Sequence, residues 1–199
     1  MSFIHLRTAS AYSLKYGTTQ PCDLVARASE LEMPALALTD RDGLAGAIRF
    51  TKACVEHGIA PIIGVNLPIR IGDTSGVLPR VTVLAHADGG WRSLVRLYTG
   101  LQMNSADRTA ILTPELLEKF SQYTSNLHLL HGPESPVSQA LATHRFDMAL
   151  DIFNQTRDLF ADHAIECVSH LVGGNGPRST AHAARSLISA RDHDIDAVI

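Results

Sequence analysis

The feature that most constrains this chain is its alternation of short, continuously apolar runs with amphipathic stretches of helical period. Ala35-Leu36-Ala37-Leu38-Thr39-Asp40 is apolar on both faces until its polar end, the pattern of a strand covered on two sides. Leu44–His57 follows with helical spacing, Ile48, Ala53 and Val55 available to face inward and Gly58 as its stop. Ala60–Ile71 reads as the next strand, Arg80–Ala85 as another and Gly90–Leu101 as a helix. Further on, the pattern predicts helices over Pro114–Phe120, Val137–Ala142, Phe146–Phe160 and Thr180–Arg191. Strands are predicted over Asn126–Leu130, Ala164–Ser169 and Ile195–Ile199. Before all of these, Phe3–Leu6 reads as a strand and Pro21–Glu32 as a helix with Thr19 as its cap. Repeated strand-helix units imply a parallel sheet covered by helices, which can close into a barrel.

The 199 residues suffice for one domain with a sizeable core. No apolar run approaches the roughly 20 residues of a membrane-spanning helix, and the N-terminus has no secretory pattern. Three cysteines, far apart and in no CxxC pair, suit reduced thiols, so a cytoplasmic setting is expected. A net charge of −3 advertises no nucleic-acid grip of the chain's own. Ile71–Val77 reads as a loop, Asn104–Thr113 as a mobile loop over one end of the sheet, and Gly173-Gly174-Asn175-Gly176 as a flexible turn, since it lacks phosphate-loop spacing. His128 and His131 read as ordinary polar or half-buried histidines, and Trp91 as a core residue beside Leu94 and Val95. Ser10 and Ser13 near His5 lack any supporting nucleophile motif.

Three segments carry a family likeness. His5-Leu6-Arg7-Thr8-Ala9-Ser10-Ala11-Tyr12-Ser13-Leu14 resembles a run of the type HLHxHSxYSLL. Ala37-Leu38-Thr39-Asp40-Arg41-Asp42-Gly43-Leu44, with Gly58-Ile59-Ala60-Pro61-Ile62-Ile63-Gly64 after it, is similar to ALTDHGNL and GIKPIIG. Val83-Leu84-Ala85-His86 to Leu97 resembles VLLAKNxxGYxNLxxL. In this order they resemble the N-terminal polymerase-and-histidinol-phosphatase (PHP) domain of bacterial DNA polymerase III alpha subunits, in detail the accessory, error-prone actinobacterial type. The resemblance implies an α/β fold, a distorted (β/α) barrel related to the TIM barrel. It also implies that residues 1–199 are one PHP domain, the N-terminal fragment of a much longer polymerase with the last strands missing.

Active members of this family hold up to three divalent metals on His, Asp and Glu side chains at the strand ends, and activate water for phosphoester hydrolysis. Carried over position by position, the resemblance implies a degenerate metal site. His5 matches the first ligand, but the second position is Arg7 and the third Ala9. Asp40 is kept, the following histidine is Arg41, the glutamate after Gly64 is Asn66, and the cysteine after the later strand is Pro133. A guanidinium stays protonated and offers donors only, so it repels the cations it replaces. Arg7 and Arg41 are open to three readings: ion pairing inside the old cavity with acids such as Asp40 and Asp42, exposure to solvent, or an anion-binding pocket.

Two functions follow. One is a non-catalytic, metal-free structural domain with no cofactor, whose partners are the rest of the polymerase chain and, through it, DNA; nucleotidyl transfer would lie in that parent polymerase. The alternative is a metal-dependent phosphoesterase using zinc or manganese as a 3'-5' proofreading exonuclease or pyrophosphatase. A stand-alone binding module is a third reading.

Overall fold

A computed structural model describes residues 3–72, 76–105, 108–160, 162–167, 174, 176 and 178–198. Six strands, β1 (Ala35–Arg41), β2 (Ala60–Pro68), β3 (Arg80–Ala85), β4 (Leu127–His131), β5 (Asp162–Glu166) and β6 (Asp196–Val198), form one sheet in chain order. Seven α-helices cover it: α1 (Pro21–Glu30), α2 (Ala47–His57), α3 (Gly90–Met103), α4 (Pro114–Lys119), α5 (Pro136–Ala142), α6 (Phe146–Arg157) and α7 (Thr180–Asp192). Among the described residues no helix is long and apolar enough to cross a membrane.

The expected parallel sheet is corrected to a mixed one, because β3 runs antiparallel to both β2 and β4. The described residues between β2 and β3, 69–72 and 76–79, hold no crossover helix, and the Ile69 N–H donates to the Pro79 carbonyl at 2.9 Å. Without a crossover the chain turns back beside the strand it has left. This reversal brings Arg80, the first residue of β3, opposite Pro68 at the carboxyl end of β2.

Phe3–Leu6 does not form the expected strand. The segment nevertheless runs along the free side of β1, where the Ala37 N–H donates to the His5 carbonyl at 2.9 Å and the Thr39 N–H to the Thr8 carbonyl at 2.8 Å. Gln20, not Thr19, precedes α1, and its side chain makes no cap; Pro21 supplies a preset φ at the first helical position. The stretch 104–113 is tied down instead of mobile where it is described. Leu112 is buried and bridges to Ile69.

The second helix starts at Ala47 and buries Ala47, Phe50, Ala53 and Cys54, leaving Ile48 and Val55 71% and 72% exposed. Residues five apart on a helix lie about 140° apart, so Ile48 and Ala53 cannot share a face, and the large Phe50 decides which face turns in. Gly58 ends it with φ +68°, a conformation glycine adopts without steric cost. Trp91 is 42% exposed, also against expectation. The inward face of α3 is Leu94, Leu97 and Leu101, at i, i+3 and i+7, and Trp91 falls on the first turn beside it. The main core sits between β2–β4 and α3, and two smaller clusters pack α1 and α2 on β1, and α5, α6 and α7 on β5. Residues 73–75, 106–107 and 199 of the predicted loops and last strand, Val168 and Ser169 of the strand predicted over Ala164–Ser169, and Gly173 and Asn175 of the glycine-rich turn lie outside the described residues.

Candidate functional site at the strand ends

The carboxyl ends of β1, β2, β4 and β5 and the amino end of β3 converge on one end of the sheet. Asp40, near the end of β1, is 2% exposed. Its carboxylate accepts from the Ser10 N–H at 2.6 Å, from the Ser10 hydroxyl at 2.8 and 3.0 Å, and from the Ser13 hydroxyl at 2.7 Å. The Ser13 oxygen accepts in turn from the Arg41 N–H at 2.9 Å. Both hydroxyls thus serve a buried acid and are not poised as nucleophiles. The close wrap depends on Gly46, where a Cβ would sit 2.8 Å from Asp40 Oδ2.

The arginines do not pair with the acids suggested by sequence proximity. Arg7 Nε donates to Glu166 Oε2 at 2.8 Å, with the two side chains 20% and 15% exposed. Burial alone would lower the Arg7 guanidinium, but the Glu166 hydrogen bond and charge outweigh it and hold Arg7 above its ordinary value. Arg41 shares one Nη2 between both oxygens of Glu134 at 2.7 Å, while its guanidinium lies 3.5 Å from the centre of the Tyr16 ring. Arg178 approaches the same Glu134 at 3.8 Å. Asp42 instead receives Arg80 at 2.7 Å, and Arg80 Nε donates to Asn66 Oδ1 at 2.6 Å. Four guanidinium groups, those of Arg7, Arg41, Arg80 and Arg178, therefore pair with three carboxylates, those of Asp42, Glu134 and Glu166, and the serine-bound carboxylate of Asp40 brings the formal charges of the cluster into balance.

Asn66 is buried and suits this setting as an amide, because it accepts from Arg80 while its Nδ2 donates to Thr82 Oγ1 at 3.1 Å. Ala9 lines the remaining cavity without a ligating atom, and Pro133 is buried just past β4. His5 is exposed and edge-on to Phe3, with ring centroids 4.7 Å apart. The cavity left between Arg7, Ala9, Tyr16, Thr39, Arg41 and Asn66 is about 30 Å³, room for about one water. Among the described residues no three His, Cys, Asp or Glu side chains come together as a metal-holding group.

Sequence reasoning missed Glu134, Arg80 and Arg178 as members of this site, and Glu166 as the partner of Arg7. Glu166 ends a strand and Glu134 lies three residues past one, the position from which this end of the sheet is built. Gly132 beside them is a spacing requirement: a Cβ there would stand 2.7 Å from Glu166 Oε2 and 3.4 Å from Arg7 Nε. Gly132→Ala is expected to cost about 1 kcal/mol in urea unfolding. In an Arg7→Met/Glu166→Leu background, where the crowded atoms are gone, that cost should vanish; an equal cost in both backgrounds would refute the crowding argument.

The histidines divide differently from expectation. His128 is half-buried, with Nδ1 3.4 Å from Asp162 and its ring edge-on to His86. His131 is fully buried, between Phe153 and His163, and neither ring nitrogen has a partner.

The mixed α/β sheet gathers its charged cluster at one set of strand ends. The chain belongs to the PHP domain family, whose model matches residues 5–170. It is 38% identical over 132 residues to an error-prone DNA polymerase of Corynebacterium efficiens, an alignment covering 66% of this chain and 12% of that protein. It is 29% identical over 204 aligned positions to a DNA polymerase III subunit alpha of Caulobacter vibrioides, covering 98% of this chain and 17% of that one. The chain thus spans between about an eighth and a sixth of the length of these relatives. Among solved structures, a two-domain protein of Bacteroides vulgatus containing a predicted PHP-like metal-dependent phosphoesterase aligns with a TM-score of 0.58 at 10% identity, over 98% of this chain and 49% of that one. An amidohydrolase of Chromobacterium violaceum with sulfate bound and no metal aligns with a TM-score of 0.57 at 14% identity, over 98% and 84%. At these identities the two structures speak for the fold, a mixed α/β sheet consistent with a distorted barrel.

Proposed function

We propose that this chain is a non-catalytic, metal-free PHP domain of a DNA polymerase III alpha-type enzyme of the error-prone kind, packing against the rest of a longer polymerase chain that binds DNA and performs nucleotidyl transfer in the cytoplasm. The observation that carries this reading is the pairing of Arg7 with Glu166 and of Arg41 with Glu134 at former ligand positions. Two fixed cations neutralise the carboxylates that a metal would need, and they repel an incoming dication from within a few ångströms. The donor set does not fit the family's metals: Asp40 is engaged by two serines, His5 faces outward, and Ala9, Asn66 and Pro133 supply no anionic or imidazole ligand. No hydrolytic step can be routed through such a site. The domain's contribution is then cohesion of the strand ends, achieved by ion pairs where active relatives use ions.

Metal analysis of the purified full-length polymerase tests this directly. Zinc, manganese and iron are each expected well below one per chain, with no change in melting temperature on adding chelator. A stoichiometric metal that leaves with chelator, together with metal-dependent 3'-5' exonuclease or pyrophosphatase activity, would establish the phosphoesterase alternative instead.

A further inference from the structure

Arg7 borders two spaces. Inward it faces the cavity of about 30 Å³ that it shares with Arg41, too small for a phosphate or sulfate, and its Nε is held there by Glu166. Outward it lines a groove of about 560 Å³ between the N-terminal segment and α1. That volume lies within the range of small-molecule sites, roughly 300–1,000 Å³.

The groove's composition is directional. Leu24, Ala28, Met33 and Leu36 make an apolar floor, while His5, Arg27, Thr18 and Thr19 contribute polar groups. Among the described residues no aspartate or glutamate lines it, although the chain as a whole is acidic. The two arginines are available to different degrees. Arg7 reaches Glu166 through Nε, so its terminal amino groups are not part of that ion pair. Arg27 pairs with Glu30, but both side chains are about two-thirds exposed at 66% and 64%, and such surface pairs are worth at most about 1 kcal/mol. Thr8, also in the lining, has a buried hydroxyl without a protein partner. A floor without charge, and two arginines whose paired acids Glu166 and Glu30 lie outside the groove lining, define the complementary ligand.

We propose that this groove binds an oxyanion carried on a flat or aliphatic apolar body of mononucleotide size, the anion meeting Arg7 and Arg27 and the body lying on Leu24 and Ala28. The anion pocket, one of the three readings of Arg7 and Arg41, thereby narrows to Arg7 and moves to the outer side of the N-terminal segment, because Arg41 is taken up by Glu134 and Tyr16. This site is independent of whether the inner cluster holds metal.

The test is a titration of the purified chain, followed by NMR and calorimetry, with three probes: deoxyadenosine monophosphate, which has both parts; deoxyadenosine, the body alone; and inorganic phosphate, the anion alone. The monophosphate is expected to bind at least roughly tenfold more tightly than either part, about 1.4 kcal/mol, with shifts centred on α1. Arg27→Glu, at an exposed position, should weaken it roughly tenfold, and Arg27→Lys should restore part of the loss. Arg191→Glu, a matched charge change elsewhere on the surface, should leave it unaltered. Equal binding of inorganic phosphate, no loss in Arg27→Glu, or the same loss in Arg191→Glu would each overturn the assignment.

Discussion

Replacing Glu166 by leucine is expected to lower the free energy of unfolding by about 3 kcal/mol, the largest single-residue effect at the strand ends. The reason is asymmetry. Arg7 cannot shed its proton, and with Glu166 gone its mostly buried guanidinium loses the acceptor held at 2.8 Å. Breaking a buried pair from one side costs about 3–5 kcal/mol, because the survivor is an uncompensated charge. The lower end applies here, since 20% of the Arg7 side chain still meets solvent. Removing both charges with Arg7→Met/Glu166→Leu should recover most of the loss, as the desolvation of the two ions disappears together with their attraction. Urea unfolding of the two single variants and the double gives the coupling energy. A single-variant loss below about 1 kcal/mol, or a double variant no better than Glu166→Leu, would show that the pair does not hold the strand ends together. Arg41→Met should cost less. Glu134 retains Arg178 at 3.8 Å, and the arginine it loses was partly supported by Tyr16.

This ion-pair arrangement explains which parts of the molecule were legible in the sequence. The strands and helices were, apart from the strand expected over Phe3–Leu6, because continuous apolar runs and helical spacing report burial directly, and β1 with its end at Asp40 and Arg41 follows from them. Direction was not. The return of β3 depends on a connection whose described residues form no helix, and spacing along β3 itself is the same in either orientation. The positions proposed as former metal ligands could be counted from the family likeness, since each is a residue in a motif. Their new partners could not, because Glu166 lies 159 residues from Arg7 and Glu134 lies 93 from Arg41. Proximity in sequence favoured Asp40 and Asp42, but Asp40 is enclosed by the Ser10–Ser13 loop, and Asp42 turns to Arg80 in a residue of positive φ, +58°. The misassigned helix faces have a similar origin. Ile48 and Trp91 are apolar enough for a core, but the phase of each helix is set by its other residues.

Lowering the pH from 7 to 5 is expected to remove about 2 kcal/mol of stability through His131 alone. The ring is fully buried against Phe153 and His163, at centroid distances of 5.5 and 5.8 Å, and neither nitrogen has a hydrogen-bond partner. Burial first, and then the nearby His163, push its pKa down to about 3. In the unfolded chain the imidazole titrates near 6.5. Between those values the unfolded state binds a proton that the native state refuses, so stability is intact above about pH 6.5 and falls as pH drops towards 3. The slope approaches about 1.4 kcal/mol per pH unit for one proton. His163 and His182, both lowered chiefly by burial, act in the same direction, so the total acid loss should exceed the share of His131. Urea unfolding at pH 7 and pH 5 of the wild type and His131→Leu isolates that share. The variant is expected to lose about 2 kcal/mol less over this interval, whatever its stability at pH 7. Equal losses would mean that the native ring takes up its proton as readily as the unfolded one, which a fully buried site between two aromatic rings does not permit.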